Sequence, residues 1–498
     1  MEITNNKVND QDYTFPAVEL LLSYEKENSS EDHQAETTET SKKIAQILRD
    51  FDIQVKAVGA TRGASVTRYE LELGNGVSNS DVLKHRKEIA FNLGVSAVRI
   101  APLPGKPILG VEVPNRIRSM VSLKELIDSD AFRSAEGELP FVIGRNIDGE
   151  NVIGDLAALR HLLVAGTLGS GKAVFPHSVI LSFLYRISPD NLKLILIDPK
   201  KVELGAYLNT PHLLTPNIIN GFKGAAALEW AVGEMSRRYK ILEAAGVRQI
   251  KEYNRFAEEK LPRIVIYIDE LADLMLDAKT ETEESILKLA QHGHDVGIHM
   301  ILSTLCSRTD LLSETIKASI PNRIVYSVCS ETESSQILGE TGAENLLLLG
   351  DMLFRTEGKP YPERIQAPFV STKEELSVAK FFKDRYDSNY SQDIAAFIEK
   401  RGSEICDLKN SSKAPDSNSF DDDNDFIKKA IDEILESGNA STAFLQRKLK
   451  LGFPRAAKII DDIEEMGIIG PHEGAKPRKI NISKEEWDRK KTQSNSKK

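Results

Sequence analysis

The sequence predicts an α/β protein in three parts. A phosphate-loop domain on a buried parallel sheet follows an α+β domain and precedes a small helical module. Three observations carry this reading. Between 141 and 375, short and almost wholly apolar runs alternate with helical stretches, as strands buried on both faces of a parallel sheet require. The stretch "AGTLGSGKAV" (165–174) sets glycines and a lysine at the spacing of a phosphate loop. "VTRYELEL" (66–73) places Val66, Arg68, Glu70 and Glu72 against Thr67, Tyr69, Leu71 and Leu73, the alternation of a half-buried strand.

Composition sets the frame. The 498 residues suffice for roughly three domains, and 41% apolar with 28% charged residues describe a globular chain. No apolar run reaches the ~18 residues of a membrane span, and Met1–Asp10 is polar rather than signal-like. The expectation is a cytoplasmic chain, not inserted in a membrane, in a soluble form. Cys306, Cys329 and Cys406 show no paired spacing, which suits a reducing compartment without disulfides. The net charge of -10 argues against a chain that coats nucleic acid along its length. Residues 440–498, however, carry 14 Lys/Arg against 8 Asp/Glu, where the rest carries 51 against 67. Nucleic-acid contact outside a central channel is therefore expected at the C-terminus.

Residues 1–41 read as a polar lead-in, mobile over the acidic stretch 25–41. The α+β domain spans 42–140; "KKIAQILRDF" opens it as a helix with Ile44, Ile47, Leu48 and Phe51 on one face. The phosphate-loop domain spans 141–375, with strands expected in "HLLVAG", "LKLILID", "RIVIYIDE", "IHMILST" and "NRIVYSV". A helical extension and flexible linker cover 376–425, and 402–425 is rich in Ser, Asn and Asp. The module 426–482 reads as helices followed by a strand or wing, and 483–498 is a basic tail.

A loop between a strand and a helix cradles phosphates on its backbone N–H groups, and its lysine neutralises the outer phosphates. Gly166, Thr167, Leu168, Gly169, Ser170, Gly171, Lys172 and Ala173 occupy these places. At the end of "RIVIYIDE", Asp269 is the candidate Mg²⁺ ligand and Glu270 the candidate to polarise an attacking water. His292, His294 and His299 lack the Cys or carboxylate partners of a metal site. Cys306 reads as structural.

In their order along 14–482, these stretches resemble the FtsK/SpoIIIE family of DNA translocases. So do "LILIDPKKVEL", "PHLLTP", "EMSRRYKIL", "IKASIPNRI" and "GAENLLLLGDML". The resemblance implies a RecA-like core and a winged-helix C-terminal domain. It also implies a homo-hexameric ring around double-stranded DNA that is driven by ATP and Mg²⁺ in chromosome segregation and cell division. Recombination or division proteins are the implied partners, and the septum the implied site of recruitment. Family members at the septum carry an N-terminal membrane segment that this sequence does not show. In the C-terminal module the basic residues Arg447, Lys448, Lys450, Arg455, Lys458, Lys476 and Arg478 are the candidate DNA contacts. The family's G-Y-N-R-A-A-R stands here as "GFPRAAK"; Pro454 removes an Asn able to hydrogen-bond base edges.

Further departures gather at the nucleotide chemistry. Ala173 replaces the Ser/Thr whose hydroxyl ligates Mg²⁺. Pro176 is expected to forfeit a bond of the following helix. Leu305 and Cys306 stand for a Gln and an Arg, and Ser335 for another Arg. Arg323 is retained and is the candidate to reach a neighbouring subunit's site. Two readings stay open: a DNA translocase with impaired hydrolysis, and a nucleotide- and DNA-binding clamp that does not hydrolyse (alone or beside an active paralogue). A third, a related ATPase that moves protein or conjugative DNA, is opposed by the N-terminal α+β domain and the basic C-terminal module, which match the chromosome-motor architecture that the resemblance implies.

Overall fold

The computed structural model describes residues 13–24, 30–103, 105–201, 203–387, 390–412, 423–449, 453–470 and 478–487. The chain forms two compact units, Met1–Lys409 and Asn410–Lys498.

The first unit holds two sheets. β1 (Val55–Arg62), β2 (Val66–Leu73), β3 (Arg99–Pro102) and β4 (Ile108–Pro114) form an antiparallel sheet in the order β1-β2-β4-β3. The helix Ser30–Asp50 packs on it through Ile44, Ile47 and Leu48. Residues 30–41, expected to be mobile, are thus helical. Phe51 leaves the expected core face: it lies past the helix end, is exposed, and stacks on His85 at 4.3 Å.

The larger sheet has nine strands. They are β5 (Pro140–Asn146), β6 (Asn151–Asp155), β7 (His161–Gly166), β8 (Leu192–Ile197), β9 (Arg263–Ile268), β10 (Ile298–Leu305), β11 (Arg323–Tyr326), β12 (Asp351–Arg355) and β13 (Glu363–Gln366). Their order is β6-β5-β13-β12-β11-β7-β10-β9-β8, and β11, β7, β10, β9 and β8 run parallel. Every residue of β7 and β9 is buried, because apolar clusters cover both faces of the sheet. Sequence periodicity located all the parallel strands. It missed the antiparallel extension β12-β13-β5-β6, whose strands mix apolar with charged residues.

The first domain ends earlier than the expected residue 140. Leu123, Leu126, Ile127 and Phe132 bury into the core of the large sheet, as do Tyr13 and Leu21 near the N-terminus. Tyr24 and the Leu22 N–H both donate to Glu374, each at 2.9 Å. The expected linker also shortens: 402–412 continues the helix Gln392–Ser412. Ile394, Ile398 and Ile405 dock it on the large domain, and Arg401 pairs with both oxygens of Glu229 at 2.6 and 3.1 Å.

A buried ion-pair chain joins the two sheets. Arg99 of β3 holds Glu112 of β4 (2.9 Å), Glu112 holds Arg364 of β13 (2.8 Å), and Arg364 grips both oxygens of Asp351 in β12 (2.9 and 2.5 Å). The guanidinium groups hold the Glu112 carboxyl below its usual range against the opposing cost of burial.

In the second unit, helices Asp423–Ser437, Thr442–Leu449 and Phe453–Glu465 pack around Ile431, Ile434, Leu445, Ile459 and Ile463. Antiparallel bridges pair Ala440 with Arg478 and Ile469 with Ile480.

Candidate nucleotide site

In a parallel sheet, ligands gather beyond the carboxyl ends of the strands. Here β7, β9 and β8 deliver the glycine loop, Asp269 and Asp198 to that edge, with β10 between β7 and β9. The loop is braced from outside its own segment. The Thr167 N–H and hydroxyl both donate to the Ser327 carbonyl (3.0 and 2.9 Å). The Ser170 hydroxyl donates to the Thr167 carbonyl at 2.7 Å, and the Gly350 N–H to the Ser170 carbonyl at 2.8 Å. Gly169 and Gly171 have φ of +78° and +104°, and a Cβ on Gly171 would lie 2.4 Å from the Gly350 nitrogen. Only glycine lets the loop close against Gly350 in this left-handed backbone.

Lys172 extends to the Ser303 hydroxyl on β10 (3.1 Å). Asp269 is nearly buried. Burial pushes its carboxyl up to about 6, opposed by Lys172 and reinforced by Asp198, Glu203 and Glu270. Asp198 directly follows β8, with one oxygen taken by the N–H groups of Glu203 and Leu204 (both 3.1 Å). Its other oxygen is buried without a hydrogen-bond partner among the described residues.

Glu270 is held more tightly than its expected role requires. It accepts from the Thr304 hydroxyl (2.9 Å), the Leu305 N–H (3.2 Å) and Lys200 (3.1 Å), and is almost fully buried. Leu305, in the Gln position, thus contributes its backbone. Cys306 is buried against Ala165 and Val325, and burial pushes its thiol up to about 12, which fits a structural residue. Ala173 is exposed in the turn Lys172–Val174. Ser335 is exposed on the helix Glu331–Leu338.

Two expectations are corrected. Pro176 lies in the first turn of the helix Phe175–Leu184, where a backbone N–H has no intrahelical acceptor, so nothing is forfeited. Arg323 begins β11, at the strand end away from the loop. Its guanidinium donates to the carbonyls of Ile320 (3.2 Å), Ile337 and Lys317. It ties helix ends together inside its own chain and is not held out towards a neighbour. Asp198, Lys200, Ser303 and Gly350 went unrecognised in the sequence. For Asp198 and Lys200 the available signal was "LILIDPK", an acid ending a buried strand.

Among the described residues, no group of three or more His, Cys, Asp or Glu is arranged to hold a metal. This includes His292, His294 and His299; burial keeps His299 well below its usual range.

Of the candidate DNA contacts, Arg447, Lys448 and Lys458 are exposed, with Lys448 paired to Glu433 at 3.2 Å. Arg478 is not offered outward: Asp461 (2.9 Å) and Glu464 hold it against the helix Phe453–Glu465. Lys450, Lys476 and the side chain of Arg455 lie outside the described residues.

Comparison with known proteins follows the same division. The FtsK/SpoIIIE family pattern matches residues 122–309, the FtsK alpha domain 15–115 and the Ftsk gamma domain 421–483. The chain is 44% identical over 450 residues to the DNA translocase FtsK of Caldanaerobacter subterraneus subsp. tengcongensis, covering 90% of this chain and 61% of that one. It is 36% identical over 498 residues to the DNA translocase SpoIIIE of Bacillus subtilis, of which it covers 61%. It therefore spans about three fifths of the length of these relatives. Among solved structures, it is similar to the pCW3 conjugation coupling protein TcpA with a TM-score of 0.49 and 20% identity, over 70% of this chain and 99% of that one. The DNA translocase FtsK of Haemophilus influenzae is 38% identical over 489 residues, covering 93% of this chain and 90% of that protein. Similarity of that extent, through nearly the whole of both chains, leaves one assignment: this chain belongs to the FtsK/SpoIIIE family.

Proposed function

We propose that this chain is an ATP-dependent translocase of double-stranded DNA, acting in chromosome segregation and cell division, whose hydrolysis is slowed by its own sequence. The observation that carries the proposal is the convergence of the braced loop, Lys172 and Asp269 at one edge of the sheet. The residues fit a magnesium nucleotide. A glycine loop that a single Cβ would block suits phosphates approaching the backbone. One carboxylate suits Mg²⁺, which takes few protein ligands and keeps phosphate oxygens and water. Gly166 to Lys172 would hold the phosphates, and Asp269 the metal, directly or through water. When bound, Mg²⁺ supplies neutralisation of phosphate charge.

The chain's own residues divide the remaining work. Lys172 places a positive charge between the loop and β10. Ser303 orients that amine, and Glu270 is positioned by Thr304, Leu305 and Lys200 at the carboxylate edge. To polarise a water, Glu270 must give up one of those partners. Ala173 offers no hydroxyl to the metal, and Leu305, Cys306 and Ser335 offer no polar reach to the outer phosphate.

The proposal includes a homo-hexameric ring around DNA, a cytoplasmic motor recruited to the septum, and contacts with division or recombination proteins. We place a winged-helix fold in the second unit, supported by its three helices and antiparallel bridges, with Arg447, Lys448, Lys450, Arg455, Lys458 and Lys476 on DNA. No helix among the described residues is long and apolar enough to cross a membrane.

A second reading, the non-hydrolysing clamp, is favoured by one observation: all the partners of Glu270 are already satisfied. DNA-stimulated ATP hydrolysis, measured on this chain beside Ala173→Ser, separates the two. Weak DNA-dependent turnover that rises in the variant supports the motor. Turnover in the unmodified chain rejects the clamp. No turnover without the substitution, and recovery with it, rejects the active motor.

A further inference from the structure

The small antiparallel sheet leaves its β1 edge open. β1 pairs with β2 on one side and, among the described residues, with no strand on the other. Such an edge presents unpaired N–H and C=O groups. The helix Ser30–Asp50 packs alongside β1, and between helix and strand runs a groove of about 650 Å³. Ligand clefts occupy roughly 300–1,000 Å³. Lys42, Lys43 and Arg49 line the groove from the helix, and Val55, Lys56 and Ala57 from the strand. Val55 and Ala57 are half-buried against the core of the small sheet, which gives the groove an apolar floor beside the open main chain.

The charge of the groove has one sign. No acidic residue lines it. Its four basic side chains are exposed, and none forms a salt bridge or side-chain hydrogen bond with a described residue. Lys56 stands opposite Glu72 in the β1–β2 register without pairing to it. The chain as a whole carries a net charge of -10, so this cluster runs against its balance. Like charges held together cost free energy that an anionic partner recovers.

We infer that this groove takes an extended acidic peptide segment of another protein, which adds a strand to β1. Strand addition draws affinity from main-chain hydrogen bonds and specificity from alternate side chains, and the groove offers a surface for each. Lys42 to Arg49 rises about 10 Å along the helix at ~1.5 Å per residue. An extended chain covers that distance in about three residues, and its side chains on one face recur every ~6.7 Å. Acidic residues at alternate positions therefore meet Lys42 or Lys43 at one end and Arg49 at the other. The register shift between Ala57 and Gly59 ends regular pairing, so the segment is short. Nucleic acid fits less well. No aromatic side chain lines the groove to stack a base, and phosphate has no donor for the carbonyls of the edge. A second copy of β1 would bring Lys56 against Lys56, a repulsion that guards edges against self-pairing.

The test uses the full chain and fluorescence anisotropy of a labelled peptide, Asp-Val-Asp-Thr-Asp-Val. Its fully N-methylated form keeps the charge and removes every amide donor. The expected result is binding that weakens with added salt and weakens at least about tenfold on N-methylation. Lys42→Glu combined with Arg49→Glu should also weaken it at least about tenfold and switch the preference to Lys-Val-Lys-Thr-Lys-Val. Both substitutions are at exposed positions, and an unchanged urea midpoint checks that the variant is folded. Bound peptide should slow amide exchange in β1 over 55–57. No binding at millimolar peptide overturns the inference, as does equal affinity for the N-methylated form. Binding that survives the double substitution places the peptide elsewhere and rejects the groove. Displacement of the peptide by single-stranded oligothymidylate, with protection over 42–57, assigns the groove to nucleic acid instead. Self-association abolished by the double substitution assigns the edge to a second copy, and equally overturns the inference.

Discussion

Replacing Arg364 with Met tests whether the buried ion-pair chain holds the two sheets of the first unit together. Arg364 is nearly buried and makes three charge-assisted bonds, two to Asp351 and one to Glu112. Met fills much of the volume, so the perturbation is mainly electrostatic. Glu112 keeps Arg99 at 2.9 Å, but among the described residues Asp351 keeps only the Leu347 N–H at 2.7 Å. Breaking a buried pair on one side costs about 3–5 kcal/mol, because an uncompensated charge remains. The loss is expected at the upper end for Asp351 and is cushioned for Glu112. The assay is urea unfolding of the full chain with hydrogen exchange resolved by segment, since domains of one chain need not unfold together. Opening of β4, β12 and β13 should become easier by that amount. Adding Asp351→Asn should recover part of it by removing the stranded charge. The pH dependence has a definite sign. The carboxyl of Glu112 is lowered in the folded chain, so its contribution is present above the unfolded value and lost as pH falls through the lower folded one. A loss under about 1 kcal/mol, or no recovery with Asp351→Asn, would refute the reasoning that unpaired buried charge dominates.

Other substitutions probe the site and its frame. Gly171→Ala forces a Cβ to 2.4 Å from the Gly350 nitrogen at φ +104°; ATP binding should be lost in equilibrium titration, and unchanged affinity would show that the loop does not close as described. Arg323→Ala frees three carbonyl partners and should cost about 1–3 kcal/mol in thermal or urea unfolding. It should leave nucleotide affinity intact; lost DNA-stimulated hydrolysis in a fully folded variant would instead restore a role at a neighbouring site. His161 and His212 are pushed down to about 3 by burial, so the unfolded chain binds more protons between pH ~6.5 and 3. Stability should therefore fall on acidification below pH ~6.5, by up to about 1.4 kcal/mol per pH unit for each histidine. His212→Gln should flatten the slope of the urea midpoint against pH, and an unchanged slope would remove His212 from the account.

Much of the candidate site was legible because it is local. A glycine loop must follow its strand directly, and Asp269 must stand where a buried strand ends, so both leave contiguous patterns. The helix Gln392–Ser412 shows the limit of composition. The Ser, Asn and Asp content of 402–425 looked like a linker, yet 402–412 continue the expected helical extension, which three isoleucines at helical spacing dock. Phe51 shows the limit of periodicity: the helix ends one residue before it, and the ring turns to His85.

The sequence by itself determined the strand–loop–helix of the candidate phosphate site, the buried strands on either side, the order of domains and the absent hydroxyl at Ala173. These are properties of short segments, set by turn chemistry and by alternation or continuity of apolar residues. Only the tertiary structure decided what surrounds them. It brought Gly350 onto Ser170, Ser303 onto Lys172 and Arg364 onto both Glu112 and Asp351. It also turned Arg323 inward. Those partners lie tens to hundreds of residues apart, and buried charges and carbonyls choose among them only once the sheets have packed.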